Sequence, residues 1–333
     1  MKKNILVLLI LALVFSPAFA AGAKEATVQV SEEKVEGSLY PLSLEIYDAS
    51  GNSVTEVYEK TPQRVVSTQL SMTELLIKLG LSDKIVGIID PDNKVKGENG
   101  EIISTFKSVG RKGAFSKEAI LAVEPDIVLG KAPLMFTDNA IGTVEYYNNM
   151  GIDVYTELAS ASIANQSLDN IISDIRNIGK IFNVEDKANA YADELENKLN
   201  EVVKNVSGKA TGEKLRVILM AMYKDGSFVN FASPLHSAML EVVNAENVSQ
   251  KGGTGLTLEN LIALNPDAIV YVKSDRAAKT DAVAVDSLLS NETIQSVPAI
   301  KNKKILEIDY DDIMDFGARD IEAVEKLYTF LYE

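Results

Sequence analysis

The chain has 333 residues, with 33 basic and 48 acidic side chains, one histidine, and no cysteine or tryptophan. A net charge of −15 repels nucleic acid and anionic lipid, because phosphate binding needs clustered Lys and Arg. Without cysteine there are no disulfides, iron–sulfur clusters, thiolate metal sites or Cys nucleophiles, and no lipidated cysteine as a route to a membrane.

In chain order, Lys2 and Lys3, an apolar run over residues 5–15, and Ala18-Phe19-Ala20 read as a secretion signal cleaved after Ala20. The apolar run is well short of the about 20 residues that span a bilayer core. Its loss takes two lysines and no acids, so the mature charge falls from −15 to −17; the expected location is the periplasm. Residues 21–60 read as an N-terminal linker and edge hairpin, with Leu42, Leu44 and Ile46 alternating against Ser43, Glu45 and Tyr47 before a Gly51-Asn52 turn. Residues 61–166 alternate short apolar strands (65–66, 85–89, 127–129, 154–155) with helical stretches (72–79, 116–123, 140–150) and read as an N-terminal lobe. Residues 167–208 form a helical connector with a break near Asn183, its apolar positions spaced three or four apart. Residues 209–333 resume the alternation as a C-terminal lobe: strands at 217–222, 268–272 and 304–308, helices at 234–243, 257–264 and 318–332. The expected fold is α/β, two Rossmann-like lobes with mainly parallel sheets joined by a long interdomain helix. A helical connector predicts small hinge motion instead of wide closure.

One thirteen-residue pattern occurs twice, 141 positions apart. Glu118-Ala-Ile-Leu-Ala-Val-Glu-Pro125-Asp126-Ile-Val-Leu-Gly130 is echoed by Glu259-Asn-Leu-Ile-Ala-Leu-Asn-Pro266-Asp267-Ala-Ile-Val-Tyr271. Each is a helix stopped by Pro-Asp that runs into a buried strand. The period is far longer than the about 20–50 residues of a solenoid, so it marks two similar lobes. An exported chain with two similar lobes closes a cleft around a ligand.

Five segments in order carry a family resemblance: 62–80, 109–130, 175–199, 233–249 with 256–270, and the last helix over 315–332. Together they make residues 40–333 resemble the class III periplasmic solute-binding proteins of ABC importers for iron–siderophores, haem and cobalamin. The resemblance implies a small-molecule metal chelate as ligand and no resident cofactor. It implies an ABC permease with its ATPase as partner, and a monomer. It also implies that Glu118 and Glu259, one per lobe, dock onto permease arginines. Both follow a residue of helix-capping type, Ser116 and Thr257, where an acid also favours the helix dipole.

Ligands of open α/β sheets bind beyond the carboxyl ends of strands. The cleft-lining loops are then 68–71 with Gln69, 90–91, 111–112 and 131–135 in the first lobe. In the second they are Tyr223, 231–233 with His236, 252–254, 273–276 and 310–311. Arg111 and Lys112, between two glycines, suit an anionic chelate, and a basic side chain matching Lys112 grips the chelate in hydroxamate binders of the resembled family. Lys131 and Arg276 are further basic candidates. His236, with Tyr310 or Tyr223, could complete iron coordination. Arg319 reads as a structural ion pair.

Lys131 and Gly253 stand where corrin-gripping tryptophans are expected, and Gly113 and the 273–276 loop replace the haem ligands of the resembled family. One histidine does not supply a free Zn²⁺ or Mn²⁺ site. An iron(III)–siderophore or similar anionic chelate remains, with cobalamin, haem or a sensor role as alternatives. An exported enzyme is disfavoured: there is no G-x-S-x-G elbow, and the 252–255 segment lacks the phosphate-loop pattern.

Overall fold

A computed structural model describes residues 39–163, 166–210 and 212–333. The secretion signal over residues 1–20 and most of the linker after it lie outside the described residues. The described chain opens with β1 (Leu42–Tyr47) and β2 (Ser53–Tyr58), paired antiparallel with Leu42 opposite Tyr58. Asp48 closes the turn by accepting from the backbone N–H groups of Ser50 and Asn52, as short polar side chains do in turns.

The first lobe follows as β3 (Val65–Ser67), α1 (Leu70–Lys78), β4 (Ile85–Asp90), α2 (Gly97–Ile103), β5 (Ser108–Arg111), α3 (Lys117–Leu121), β6 (Ile127–Gly130), a kinked turn α4 (Ala132–Met135), α5 (Val144–Asn148) and β7 (Asp153–Thr156). The sheet is parallel throughout, in the order β5-β4-β3-β6-β7. Every residue of β3 and β6 is buried. Strands covered by helices on both faces are continuous apolar runs, which is why they are easily read.

The connector is a pair, α6 (Leu168–Ile181) and α7 (Glu185–Lys209), folded on each other at Asn183, whose φ of 54° breaks the helix. Ile171, Ile175 and Ile178 of α6 are buried at the expected three-to-four spacing. From the middle of α6, Asp174 accepts from Tyr155 Oη (2.6 Å) and the backbone N–H groups of Leu158 and Ala159, fixing α6 to the first lobe.

The second lobe comprises β8 (Leu215–Lys224), β9 (Ser227–Phe231), α8 (Pro234–Val242), β10 (Ala245–Asn247), β11 (Gly253–Thr257), α9 (Leu258–Leu264), β12 (Ala268–Lys273), α10 (Ala278–Ser290), α11 (Pro298–Lys301), β13 (Ile305–Asp309) and α12 (Ala318–Tyr332). Its sheet is mixed. β10, β8, β12 and β13 are mutually parallel, while β9 and β11 add an antiparallel edge in the order β11-β9-β8-β12-β13. The β8–β9 hairpin turns at Asp225-Gly226, both at positive φ (51° and 79°), the conformation an Asp-Gly hairpin turn needs.

The repeated motif has a structural meaning in both lobes. Its helix ends at a residue of positive φ, Glu124 (48°) or Asn265 (44°), just ahead of Pro-Asp. The aspartate accepts from the backbone N–H of an arginine at the start of the neighbouring strand: Asp126 from Arg64 at 2.8 Å, Asp267 from Arg216 at 2.9 Å. The guanidinium then returns to the helix end. Arg64 donates to the carbonyls of Val123 and Glu124, both at 2.6 Å, and Arg216 to those of Leu264 (2.9 Å) and Asn265 (3.5 Å). A cation on the last carbonyls of a helix both satisfies them and opposes the dipole.

Candidate functional site

The strand ends of the two sheets face each other, and the loops beyond them meet in a network of charge. Lys112, in the turn after β5, carries it. Gly113 takes φ 82° there, which admits the tight reversal between Arg111 and Ala114. Lys112 Nζ lies 2.8 Å from Asp92 of its own lobe, and 3.4 and 3.7 Å from Asp315 and Asp311 of the other. Burial alone would lower its pKa, but the carboxylates of Asp315, Asp92 and Asp311 raise it above the ordinary lysine range. Arg276, after β12, pairs with Asp92 and donates to the Lys112 carbonyl at 3.4 Å.

Further bonds cross the same gap. The backbone N–H of Ser71 donates to Asp315 at 2.6 Å, that of Asn93 to Asp311 at 2.6 Å, and that of Lys94 to Asp275 at 2.8 Å. A Cβ on Gly317 would stand 2.4 Å from that of Ser71, so glycine permits this approach of α12 to α1. Arg319 bridges the lobes through a two-point contact with Glu74 (2.6 and 2.7 Å) and also holds Asp312 at 2.7 Å. The lobes are closed on one another.

Between them lies a cavity of about 230 Å³, walled by Gln69, Lys112 and Lys131 from one side and Arg276, Tyr310 and Met314 from the other. Phe115, Leu134 and Met135 add an apolar rim. Its volume is below the about 300–1,000 Å³ of ligand pockets, as the bonds that close the lobes on one another imply. Lys131 Nζ rests 3.9 Å over the ring of Phe316. Burial, and then repulsion from Lys112, push its pKa down to about 8. A larger cavity of about 530 Å³ on the connector side is walled by Lys78, Tyr191, Arg319 and Lys326 among others. Of its cations Lys326 pairs with Asp312, Lys78 with Glu194 and Arg319 with Glu74, while among the described residues Lys94 and Lys96 make no ion pair. The smaller cavity is preferred because the loops after β3, β5, β6, β12 and β13 meet there.

Of the residues singled out from sequence, the structure brings Gln69, Lys112, Lys131, Arg276 and Tyr310 to one wall-to-wall cavity. Three others go elsewhere. Arg111 is exposed at the end of the edge strand β5 and does not line the cavity. Tyr223 is buried in a second apolar core with Ile218, Tyr271 and Leu288. His236 is 2 % exposed, with Nδ1 3.0 Å from Ser233 Oγ and Nε2 2.9 Å from the Ile313 carbonyl. Burial pushes its pKa down to about 4, and both ring nitrogens are engaged, so it is a core histidine and no ligand to iron. Sequence reasoning missed the buried acids Asp92, Glu157, Asp315 and Asp320, and placed Asp311 in a cleft loop without giving it a role. Among the described residues no group of three or more His, Asp or Glu is arranged to hold a metal ion directly.

Residues 65–311 match the periplasmic binding protein family. The chain belongs to it. An ABC transporter substrate-binding lipoprotein of Bacillus subtilis is 26% identical over 324 residues, covering 96% of this chain and 95% of that one. The ferric-anguibactin-binding protein of Vibrio anguillarum is 23% identical over 265 residues, 77% of each chain. A periplasmic binding protein of Veillonella parvula shares the fold with a TM-score of 0.74 at 20% identity, covering 88% of this chain and 92% of that one. These relatives are binding proteins and not enzymes, and so is this chain.

In this binding protein Glu118 and Glu259 occupy equivalent settings. Ser116 Oγ accepts from the Ala119 N–H as a helix cap and donates to Glu118 at 3.0 Å; Thr257 Oγ1 donates to Glu259 at 2.6 Å. Both carboxylates are fully exposed. The bond to its own N–H and then the Ser116 hydroxyl hold the pKa of Glu118 below the usual range, and the Thr257 hydroxyl does so for Glu259.

Proposed function

We propose that this protein is the periplasmic substrate-binding component of an ABC importer, that it binds an iron(III)–siderophore or similar metal chelate in the interlobe cavity, and that it delivers the chelate to the membrane permease. One observation carries this reading: groups from both lobes converge on a single cavity, where closure and ligand contact are coupled. The named function of the Vibrio relative, ferric-anguibactin binding, supports the ligand class. Lacking a cluster of metal-ligating side chains, the cleft suits iron that arrives enclosed in its chelator.

Delivery is assigned to Glu118 and Glu259, exposed, ionised and held in matching poses on the two lobes. Two like contacts suit a permease of two-fold symmetry.

The test is a titration of residues 21–333 with ferric hydroxamate, catecholate and citrate chelates, haem and cyanocobalamin. Quenching of the 12 tyrosines reports binding, with no tryptophan background. Saturation by a ferric chelate at sub-micromolar concentration is expected; binding only of haem or cobalamin overturns the ligand class. Glu118→Ala with Glu259→Ala should keep the chelate affinity and abolish uptake in cells. Weakened chelate binding in that variant would remove the docking role.

A further inference from the structure

The two cleft lysines differ in how far their charge is already committed. Lys112 faces three carboxylates within 4 Å. Two of them, and Arg276 with them, come from the opposite lobe, so these pairs hold the lobes together. A ligand anchored on Lys112 would have to displace carboxylates that stay buried behind it, and an unpaired buried charge is costly.

Lys131 is different. Among the described residues its ammonium makes no hydrogen bond or ion pair, and its close contact is the Phe316 ring. Gln69 stands on the same cavity wall, 2 % exposed, and its Oε1 has no hydrogen-bond partner. A buried amide left open is costly unless something completes it, and here it faces a cavity. Leu134, at the rim, is 76 % exposed with φ 69°. A large apolar residue held in that conformation, open to solvent beside a cavity, is a strained feature of the kind retained for contact.

We propose that Lys112 is the latch between the lobes, and that Lys131 with Gln69 grips the ligand, selecting chelates that present an oxygen-rich edge of low net charge against the apolar rim. This rests on the chelate reading above. Lys112 and Arg276 are already held by Asp92, Asp311 and Asp315, which leaves Lys131 as the cation of the cleft free to meet a ligand. The one uncommitted ammonium does not balance a triply charged anion in such surroundings, and the acidic chain as a whole repels it. In a ferric tris-hydroxamate the ligand charges cancel that of the metal, whereas a ferric tris-catecholate keeps three negative charges. Neutral or weakly charged chelates therefore fit and highly charged ones do not, which narrows the anionic chelate expected from sequence.

The experiment is calorimetric titration of residues 21–333 with ferric tris-hydroxamate, tris-catecholate and citrate complexes, paired with small-angle scattering of the ligand-free protein. Wild type should bind the tris-hydroxamate about 100-fold or more tighter than the tris-catecholate. Lys131→Met should weaken tris-hydroxamate binding by about tenfold or more and leave the ligand-free radius of gyration unchanged. Lys112→Met should enlarge that radius, and Arg276→Met, at a half-exposed position, gives the same readout should the first variant fail to fold. Equal affinity for the tris-catecholate overturns the charge selection. Affinity of Lys131→Met within roughly twofold of wild type overturns the grip, while wild-type binding still upholds the chelate reading. An unchanged radius in both Lys112→Met and Arg276→Met overturns the latch. Wild type that binds none of the three chelates overturns the chelate reading and this assignment with it.

Discussion

At the scale of single residues, Lys131 gives the cleft a pH signature. Burial and the neighbouring Lys112 let it hold its proton only to about pH 8, with Glu157, Asp315 and Asp320 in partial opposition. A ligand oxygen that accepts from the ammonium favours the charged form, so the bound-state pKa is the higher one. Affinity is then full below pH 8 and falls as pH rises through that value, until the bound lysine also titrates. Asp320, raised by burial to about 8, ionises over the same interval; its charge helps Lys131 keep its proton and so blunts the fall. His236, neutral above about pH 4, and Lys112, raised above the ordinary lysine range, do not change charge there. Chelate affinity should therefore drop by about tenfold between pH 7 and pH 9.5. Lys131→Met should flatten most of that drop; a drop of the same size in the variant would assign it to other groups.

At the scale of elements, the Asp–Arg clamps explain why the thirteen-residue pattern recurs. Asp126 accepts from the backbone N–H groups of both Gln63 and Arg64 at 2.8 Å, tying the end of α3 to the start of β3. Asp126→Ala should cost about 2 kcal/mol of stability, since charge-assisted bonds to backbone are lost. Arg64→Ala should cost a similar amount, and the double variant less than the sum, because both residues act on one junction. Strict additivity in chemical denaturation would refute the clamp.

The repeat itself was legible, and so were β3, β6 and β12, because strands buried on both faces are uninterrupted apolar runs. The elements that escaped are those whose side chains pack little. β5 has Val109 as its one buried residue, and α2 is a polar helix with two glycines. β9 and β11 form an antiparallel edge for which the Asp225-Gly226 turn was the available signal. The cleft loops were legible because a ligand sits beyond strand ends. Which of two adjacent side chains turns inward was not, hence Arg111 beside Lys112. The buried acids stayed hidden because a chain with 48 carboxylates reads as merely soluble.

At the scale of the whole molecule, those buried carboxyl groups set how stability responds to pH. Burial pushes Asp174 and Asp311 up to about 7 and Asp320 to about 8, and it raises Glu157 well above the usual carboxylate range. In the unfolded chain these groups lose their protons near pH 4. From there up to the raised values the native state holds more protons than the unfolded state, so each step upward in pH destabilises the fold. Two groups oppose this, but outside the decisive interval. His236, depressed to about 4, favours unfolding as pH falls below its unfolded value of about 6.5, and Lys131, depressed to about 8, lends stability only as pH rises above 8. Between pH 6.5 and pH 8 the carboxyl groups act with little opposition, and the melting temperature should fall by at least about 3 °C. Asp320→Asn keeps the acceptor for the Gly317 N–H (2.8 Å in the native protein) and removes one titrating group, so it should flatten part of the slope. A melting temperature that is level or rises across this interval would mean that these acids are ionised in the folded protein. The cleft would then be more negative still, and the preference for chelates of low charge correspondingly stronger.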